Sequence, residues 1–347
     1  MKTTGIVAEY NPFHNGHKYH IEKTRAALKC DCIVVIMSGN ITQRGDVAVF
    51  DMYKRAETAV QNGVDLVLSI PPQAVLQSAQ YYAYNAVYIL ERLTKIDYLS
   101  FGSEIGNMEA LENEIALPEN FKDSLKTGVT YAKAMSTEVL KSPNNILGVE
   151  YLRALKNLDS NIIPYTIKRS KVEHNQNESV DNFASASFIR GLLKENKCIS
   201  EFVPNTPDEC PKFEDNIINL LNYRLILGDE ADFENHANIS EGLNNRILKY
   251  KNEKAIEDII SKIKCKRYTE TRIRRALYSI LLDIKKDDII PPTYTRVLAM
   301  TETGQKFLNS IRKTKQIEIY SKITRNAVYN NPQLKKELMI NEIYKQL

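Results

Sequence analysis

Residues 5 to 20 read Gly-Ile-Val-Ala-Glu-Tyr-Asn-Pro-Phe-His-Asn-Gly-His-Lys-Tyr-His, a stretch that leaves few choices of local structure. Ile6, Val7 and Ala8 are the β-branched and small apolar residues of a short strand covered on both faces. Asn11-Pro12 continues neither a strand nor a helix, because proline lacks an N–H and pushes the residue before it out of the α region. Gly16 permits close approach of the backbone, and residues 17 to 28 then run without a helix breaker. A strand, a tight turn and a helix start create an anion site, since the first N–H groups of a helix lack intrahelical partners and point into the loop.

Into that site the sequence places His14 and His17, with His20 one turn further along, so that three of the five histidines of the chain fall together. In the H-x-G-H pattern His14-Asn15-Gly16-His17, two imidazoles flank the place where a nucleotide phosphate would lie. Imidazolium donors stabilise the negative charge that builds on an α-phosphate under attack, and the glycine leaves room for the phosphate. The bland alternative packs one histidine under the helix and exposes another. The conjunction of strand, Asn-Pro turn, H-x-G-H and helix favours the phosphate reading. Zinc is the weaker rival, because no carboxylate or cysteine stands nearby at familiar ligand spacing, and no metal ligand is assigned.

A chain of 347 residues is long enough for about two domains, and a hydrophobic content of 43% supplies ample core. No stretch approaches a membrane span, and the N-terminus lacks the features of a signal peptide, so a cytoplasmic protein without membrane association is expected. Cys30, Cys32, Cys198, Cys210 and Cys265 are odd in number and scattered, as expected of reduced thiols. The formal charge of +4 decides nothing until its distribution is considered.

Further along, residues 32 to 37 form a second apolar run, and 64 to 70 a third that is closed by Pro71-Pro72. A helix over 51 to 62 starts at Asp51, a capping aspartate, and another covers 78 to 93 with Tyr81, Tyr82, Tyr84 and Tyr88 distributed around it. Arg44, in the loop after the second strand, reads equally as a ligand-facing cation or a solvated arginine. Residues 98 to 104 give a fourth strand ending in Gly102-Ser103-Glu104, where the glycine admits a ligand or simply turns the chain. Residues 107 to 141 read as a helical connecting lobe. Ser142 and Pro143 open a further helix carrying Asn144 and Asn145, whose amides either cap the helix or read an adenine or ribose edge. A fifth strand over 161 to 167 contains Pro164, which suits an edge, and Lys168 and Arg169 leave its tip where cations would neutralise a triphosphate.

Residues 170 to 183 read as a polar loop, before Ala184-Ser185-Ala186-Ser187-Phe188-Ile189-Arg190 begins a helix suited to β- and γ-phosphates. Strands alternating with helices argue for a parallel sheet covered on both faces, Rossmann-like, yet without G-x-G-x-x-G or a Walker loop. Past residue 200 the alternation stops, Pro204, Pro207 and Pro211 mark a linker, and the remainder reads as helices, including an uncertain segment over 315 to 347. Lys262, Lys264, Lys266, Arg267, Arg272, Arg274 and Arg275 gather there, opposed within that window only by Glu270. With Tyr268 among them they have the charge and stacking character of an RNA-backbone contact, the alternative being a solvated basic face.

The strings G-I-V-A-E-Y-N-P-F-H-N-G-H, M-S-G-N-I-T-Q-R-G, F-G-S-E, S-P-N-N-I-L-G-V-E-Y, S-A-S-F-I-R and K-R-Y-T-E-T-R-I-R-R-A-L resemble the bacterial tRNA(Met) cytidine acetate ligases, to about residue 313. H-x-G-H alone is shared across the nucleotidyltransferase superfamily; the longer strings are far narrower. The resemblance implies an α/β fold: a Rossmann-like nucleotidyltransferase domain with a parallel sheet over 1–200, which binds ATP, then a mainly α-helical tRNA-binding domain over 201–347. It also implies N4-acetylation of the wobble cytidine of elongator tRNA(Met) from acetate and ATP, without acetyl-CoA. Carried onto this chain, ATP contacts fall on Val7, Ala8, Glu9, Tyr10, Asn11, Pro12, Phe13, His14, Asn15, Gly16, His17 and His20, with Gly102, Asn145 and Arg169. Relatives with I-S-S-T-x-I-R differ from this chain at the hydroxyl-rich segment, so Ser185 or Ser187 must supply a phosphate-binding hydroxyl, beside Arg190.

On this reading acetate attacks the α-phosphate to give acetyl-adenylate and pyrophosphate, with His14 and His17 as the catalytic donors and Mg²⁺ bridging the phosphates, no motif fixing a protein ligand for it. The cytidine amine then takes the acetyl group. Lys264, Lys266, Arg267, Arg272, Arg274 and Arg275 would meet the tRNA, and no protein partner is evident. Two rivals keep part of this: an adenylyltransferase for a small phosphorylated cofactor precursor, and a non-catalytic RNA-binding protein.

Overall fold

A computed structural model describes residues 1–116, 137–169, 182–214 and 217–347. The apolar runs form β1 (Thr3–Ala8), β2 (Cys32–Ser38), β3 (Leu66–Ile70), β4 (Tyr98–Ser103) and β5 (Ile163–Lys168). These strands are parallel to one another and lie in the order β5-β4-β1-β2-β3. Chain addition therefore reverses between β1 and β4, and a crevice opens beyond the C-terminal ends of those two strands. β2 is buried at every position. Its residues divide with a period of two between the opposite faces of the sheet, Cys32, Val34 and Ile36 in one core cluster and Ile33, Val35 and Met37 in another. Pro164 is accommodated because β5 is an outermost strand.

The helices that shape the site are α1 (Asn15–Leu28), α2 (Met52–Gln61), α3 (Ala79–Arg92), α4 (Pro143–Asn157), α5 (Ala186–Lys194), α6 (Glu270–Leu281) and α7 (Pro332–Lys345). α1 and α2 cover one face of the sheet through Ile21, Leu28, Met52 and Ala56. α3 and α4 cover the other through Val87, Leu90, Val149 and Leu152. Asp51 caps α2 by accepting the Tyr53 N–H at 2.8 Å. Of the lobe expected over 107 to 141, Met108–Glu112 and Val139–Lys141 are helical, and 117 to 136 lie outside the described residues. The polar loop expected over 170 to 183 lies outside them as far as residue 181. Among the described residues no helix is long and apolar enough to cross a membrane.

The region beyond residue 200 is mainly helical as expected, but its sequence gives no sign of the strands β6 (Tyr294–Met300) and β7 (Glu318–Tyr320). β6 pairs antiparallel with β3 and β7 parallel with β6, completing seven strands. The boundary at residue 200 therefore does not divide the sheet, which takes strands from both sides of it. The alternation that announced the parallel strands gives no warning of one added antiparallel from distant sequence. The helices in between do have a core of their own, containing Leu221, Phe233, Ile260, Ile273 and Leu277. α7 belongs to both parts: Ile340 and Tyr344 enter that second core, while Glu337 is tied to β6.

That tie is a buried ion pair, with Arg296 Nη1 2.7 Å from Glu337 Oε1 and the side chains 5% and 3% exposed. Tyr294 donates its hydroxyl to the same carboxylate, and the Arg296 guanidinium also donates to the Tyr53 hydroxyl. Removing one charge leaves the other buried and uncompensated, whereas removing both does not. Arg296→Met is expected to lower stability by about 3–5 kcal/mol, and adding Glu337→Met to recover a large part of that loss. Urea unfolding of the two single variants and the double variant checks this; additive losses would contradict it.

Candidate active site

His14 is the N-cap of α1, and the cap is reciprocal. The Gly16 N–H donates to His14 Nδ1 at 3.1 Å, and the His14 N–H donates to His17 Nδ1 at 3.2 Å. Because each Nδ1 accepts a backbone N–H, each ring is neutral with its proton on Nε2. The rings stack with centroids 3.7 Å apart and planes inclined by 24°. The expected imidazolium pair is thus corrected to neutral imidazoles. Burial is the main cause that holds His17 well below the usual histidine range; a proton on His14 or His20 would repel one on His17, and the Arg169 guanidinium does so as well. His20 Nε2 meets Ser100 Oγ at 3.1 Å, and burial, with Arg169 adding, pushes its pKa down to about 4. Gly16 is required by the cap itself, since a Cβ there would stand 2.8 Å from His14 Cε1.

The rest of the loop is scaffolding. Asn11 Oδ1 accepts the Val49 N–H at 2.8 Å, and the Asn11-Pro12 peptide is cis. Asn15 donates through Nδ2 to the carbonyls of Asn182 and Glu201 at 2.8 and 2.9 Å. Phe13 is buried, its ring 4.9 Å from that of Tyr10. Beneath the loop lies Arg55, 1% exposed. Its guanidinium donates to the carbonyls of Phe50 at 2.9 Å and Ser38 at 3.3 Å, and to those of Glu9 and Gly39. One cation thereby holds the ends of β1 and β2 together. Sequence reasoning missed it, although Arg55 shares a helical face with Met52, Ala56 and Ala59, and a charge on an apolar face is a signal that could have found it.

A cavity of about 1250 Å³ opens above this floor. Of the expected nucleotide contacts, Val7, Ala8, Glu9, Tyr10, Asn11, His14, Gly16, His17, His20, Gly102, Arg169, Ser187 and Arg190 line it; Pro12, Phe13, Asn15 and Asn145 do not. Asn145 is 3% exposed and its amide is engaged, with Oδ1 accepting from Glu104 N at 2.9 Å and Ile105 N at 3.3 Å, and Nδ2 donating to Val139 O at 2.8 Å. Its neighbour Asn144 is the one on the cavity wall. Arg169 packs over Gly102, its Cγ 3.3 Å from where a Cβ would be, and its buried Nε has no partner among the described residues. Arg190 Nη1 donates to Asn11 O at 2.9 Å. Burial lowers the pKa of both guanidiniums, against the attraction of Glu104 for Arg169 and of Asp46, Glu9 and Glu214 for Arg190. Ser185 Oγ accepts the Phe188 N–H at 3.1 Å as the cap of α5 and lies 3.0 Å from Ser187 Oγ.

The same cavity reaches the first turns of α6, and there the basic cluster divides. Arg267, Arg272 and Arg275 line the wall, while Lys264, Lys266 and Arg274 do not. Lys264 pairs with Glu270 at 2.9 Å, and Arg274 is enclosed by Asp46 and Glu214 at 3.0 Å and Glu257 at 3.1 Å. Arg272 lies 3.2 Å from Glu241. The window that holds a single acid in sequence therefore meets several acids in space, because the pairing partners come from distant segments. RNA contact is not carried over to Arg274. Tyr268 is 2% exposed, its ring packed under Arg246 and Arg272, so the expected stacking surface is also corrected. Arg275 Nε is buried without a partner among the described residues, and burial, with Arg272 adding, pushes its pKa down to about 10.

Comparison with known proteins agrees with this geometry. The HIGH Nucleotidyl Transferase family model matches residues 1–347. The tRNA(Met) cytidine acetate ligase of Clostridium botulinum (strain Langeland) is 37% identical over 371 residues, covering 94% of this chain and 90% of its own. That of Thermoanaerobacter sp. (strain X514) is 35% identical, covering 99% and 95%. The apo crystal structure of Thermotoga maritima TmcAL superposes with a TM-score of 0.90 at 29% identity, covering 99% of this chain and 94% of that one. Its form bound with alpha-thio ATP gives 0.84 at 30% identity, covering 99% and 92%. The α/β fold with a parallel sheet expected from sequence, found here as a mostly parallel sheet of seven strands among the described residues, is thus shared with Thermotoga maritima TmcAL. The chain belongs to the tRNA(Met) cytidine acetate ligase family of HIGH nucleotidyl transferases.

Proposed function

We propose that this protein is an ATP-dependent ligase that activates acetate as acetyl-adenylate and transfers the acetyl group to N4 of the wobble cytidine of elongator tRNA(Met), acting in the cytoplasm. The observation that carries the reading is the continuity of one cavity from the histidine cap to Arg267, Arg272 and Arg275 on and before α6. An adenylyltransferase for a small precursor needs only the first end. An acyl transfer to RNA needs both, because the mixed anhydride made at one end must be met by a base held from the other. The names of the relatives supply the acceptor and the acid; the alpha-thio ATP bound to the Thermotoga protein supplies the nucleotide.

In the first step a carboxylate oxygen of acetate forms a bond to the α-phosphorus, and the bond to the bridging oxygen breaks with its electron pair leaving on pyrophosphate. The chemistry asks for positioning and charge stabilisation. His14 and His17, neutral and protonated on Nε2, donate to the non-bridging α-phosphate oxygens; Arg169 and Arg190 hold the departing pyrophosphate, with Ser187 beside them. A neutral donor fixed by a backbone N–H keeps one orientation and needs no proton from solvent. Mg²⁺ bound with the nucleotide would add positive charge at the phosphates. Among the described residues no group of three or more His, Cys, Asp or Glu side chains is arranged to hold it. In the second step the unstacked cytosine presents its amine to the acetyl carbonyl, and AMP leaves. Arg267, Arg272 and Arg275 line the far end of the cavity, and on this reading they meet the anticodon phosphates.

The test is incubation of the protein with labelled acetate, ATP and bulk tRNA. ATP-dependent label recovered as N4-acetylcytidine, with AMP and pyrophosphate released, is the expected result. Adenylation of a small phosphate ester, with no label in RNA, would contradict it. The histidine pair yields a second expectation. His14→Asn keeps a side-chain acceptor for the cap but removes the Nε2–H donor, so it should fold with little loss of stability while acetate-dependent pyrophosphate exchange falls roughly 10²–10³-fold. Exchange at the wild-type rate would remove His14 from the chemistry.

A further inference from the structure

The second step, on the reading above, needs a group not yet assigned. The N4 amine of cytosine shares its lone pair with the ring and is a poor nucleophile; as its nitrogen bonds to the acetyl carbon it must give up a proton. The histidines of the cap are unsuited to receive it, since Nδ1 of each already accepts a backbone N–H and Nε2 carries the proton. Among the described residues the carboxylates lining the cavity are Glu9, Asp46, Glu150 and Glu241. Asp46 is paired with Arg274 at 3.0 Å, Glu150 with Arg153 at 2.8 Å and Glu241 with Arg272 at 3.2 Å. Glu9 differs: among the described residues its side-chain hydrogen bond comes from a neutral donor, the Gln43 N–H, 2.7 Å from Oε1.

Its place in the fold suits the task. Glu9 follows β1 directly and precedes the histidine loop, at the strand end where the crevice opens. The segment that binds its carboxylate also carries the helical half of the protein. Gln43 Nε2 donates to Gln77 O at 2.7 Å, and a Cβ at Gly45 would stand 2.8 Å from the main chain of Arg274 and Arg275 in α6. One hydrogen bond therefore separates Glu9 from the loop on which the basic helix rests. The groups facing it are the guanidiniums of Arg44 from that loop, Arg55 from α2 and Arg190 from α5, and the phenols of Tyr82 from α3 and Tyr151 from α4. Burial raises the Glu9 pKa, while the Gln43 N–H and then the three arginines act in the opposite direction. A carboxylate raised toward neutrality is a better proton acceptor than one at its ordinary value. Beside it the Tyr82 hydroxyl is buried and without a hydrogen-bond partner among the described residues, a polar group in the cavity wall that the protein itself leaves unsatisfied.

We propose that Glu9 is the general base of the acyl transfer. The cytidine N4 lone pair forms the C–N bond; the bond between the acetyl carbon and the phosphate oxygen breaks with its electron pair going to AMP; the N4 proton passes to the Glu9 carboxylate. The inference depends on the acceptor being the cytidine amine.

The test compares both half-reactions in the full chain carrying Glu9→Gln: acetate-dependent exchange of pyrophosphate into ATP, and single-turnover transfer of labelled acetyl to tRNA across pH. Transfer is expected to fall about 10²-fold or more beyond any fall in exchange. In the wild type, transfer should decline as pH drops through an apparent pKa above the ordinary glutamate value of 4.5, a limb absent from the Gln variant and partly restored in Glu9→Asp. Exchange in the Gln variant also reports that the protein is folded. Equal falls in exchange and transfer, or a Gln variant that keeps both the rate and the acid limb, overturn the assignment while leaving the ligase reading in place. Exchange without any transfer to tRNA by the wild type overturns both together.

Discussion

The reciprocal cap between His14 and His17 is the interaction on which the site depends. Two main-chain N–H groups at a helix start are satisfied by two imidazoles, and in being satisfied they decide where the imidazole protons are. The helix start, the orientation of both rings and their tautomers are thus one structural fact. Gly16 follows from it, because any side chain there would collide with the His14 ring. So does the shape of the approach: Tyr10 stands edge-on to His17 with centroids 4.8 Å apart and holds the pair from below. The sheet supplies the platform, and buried Arg55 fixes it by tying carbonyls after β1 and β2 to a single guanidinium. A lysine or an apolar residue in its place would leave several of those carbonyls without a donor.

The cavity joins two kinds of positive charge. Arg169 and Arg190 are half-buried cations at the nucleotide end, each with its pKa lowered by burial, and Arg275 is a third at the α6 end. Such groups are costly in an empty site and are stabilised by an anion. Arg274 is the opposite case. Burial would lower its pKa, but coulombic attraction from Glu214 and Asp46 and the hydrogen bonds it donates to Glu214 and Glu257 outweigh that and raise it. It fastens the helical half to the loop after β2, close to the Gln43 N–H that holds Glu9. Arg274 and Arg275 are adjacent on one short helix, so it is their surroundings that make one a clamp and leave the other facing the cavity.

Much of this was legible in the sequence. The parallel strands, the His14 turn, the Asp51 cap, the edge position of β5 and the helix start at Ser185 follow from local patterns that the chain displays openly. What was not legible depends on contacts between distant segments. β6, Tyr-Thr-Arg followed by a short apolar run, carries no local mark of the antiparallel place it takes beside β3. Asn145 sits at a helix start suited to a ligand, yet its amide is taken up by the loop after β4. Apart from Glu270, the acids that pair with the basic window come from elsewhere in the chain, and Tyr268 is covered by two arginines from different helices. The protonation state of the histidine pair needed the direction of two backbone N–H bonds, which no spacing reveals.

The most direct measurement is the tautomer and charge of the two rings, by NMR of the full chain with ¹⁵N-labelled histidine at neutral pH and assignment through His14→Asn and His17→Asn. The account predicts that both rings are neutral, protonated on Nε2 and unprotonated on Nδ1, with His17 remaining so well below the usual histidine pKa. A ring that carries its proton on Nδ1, or is doubly protonated at neutral pH, would contradict the cap and the donor role derived from it.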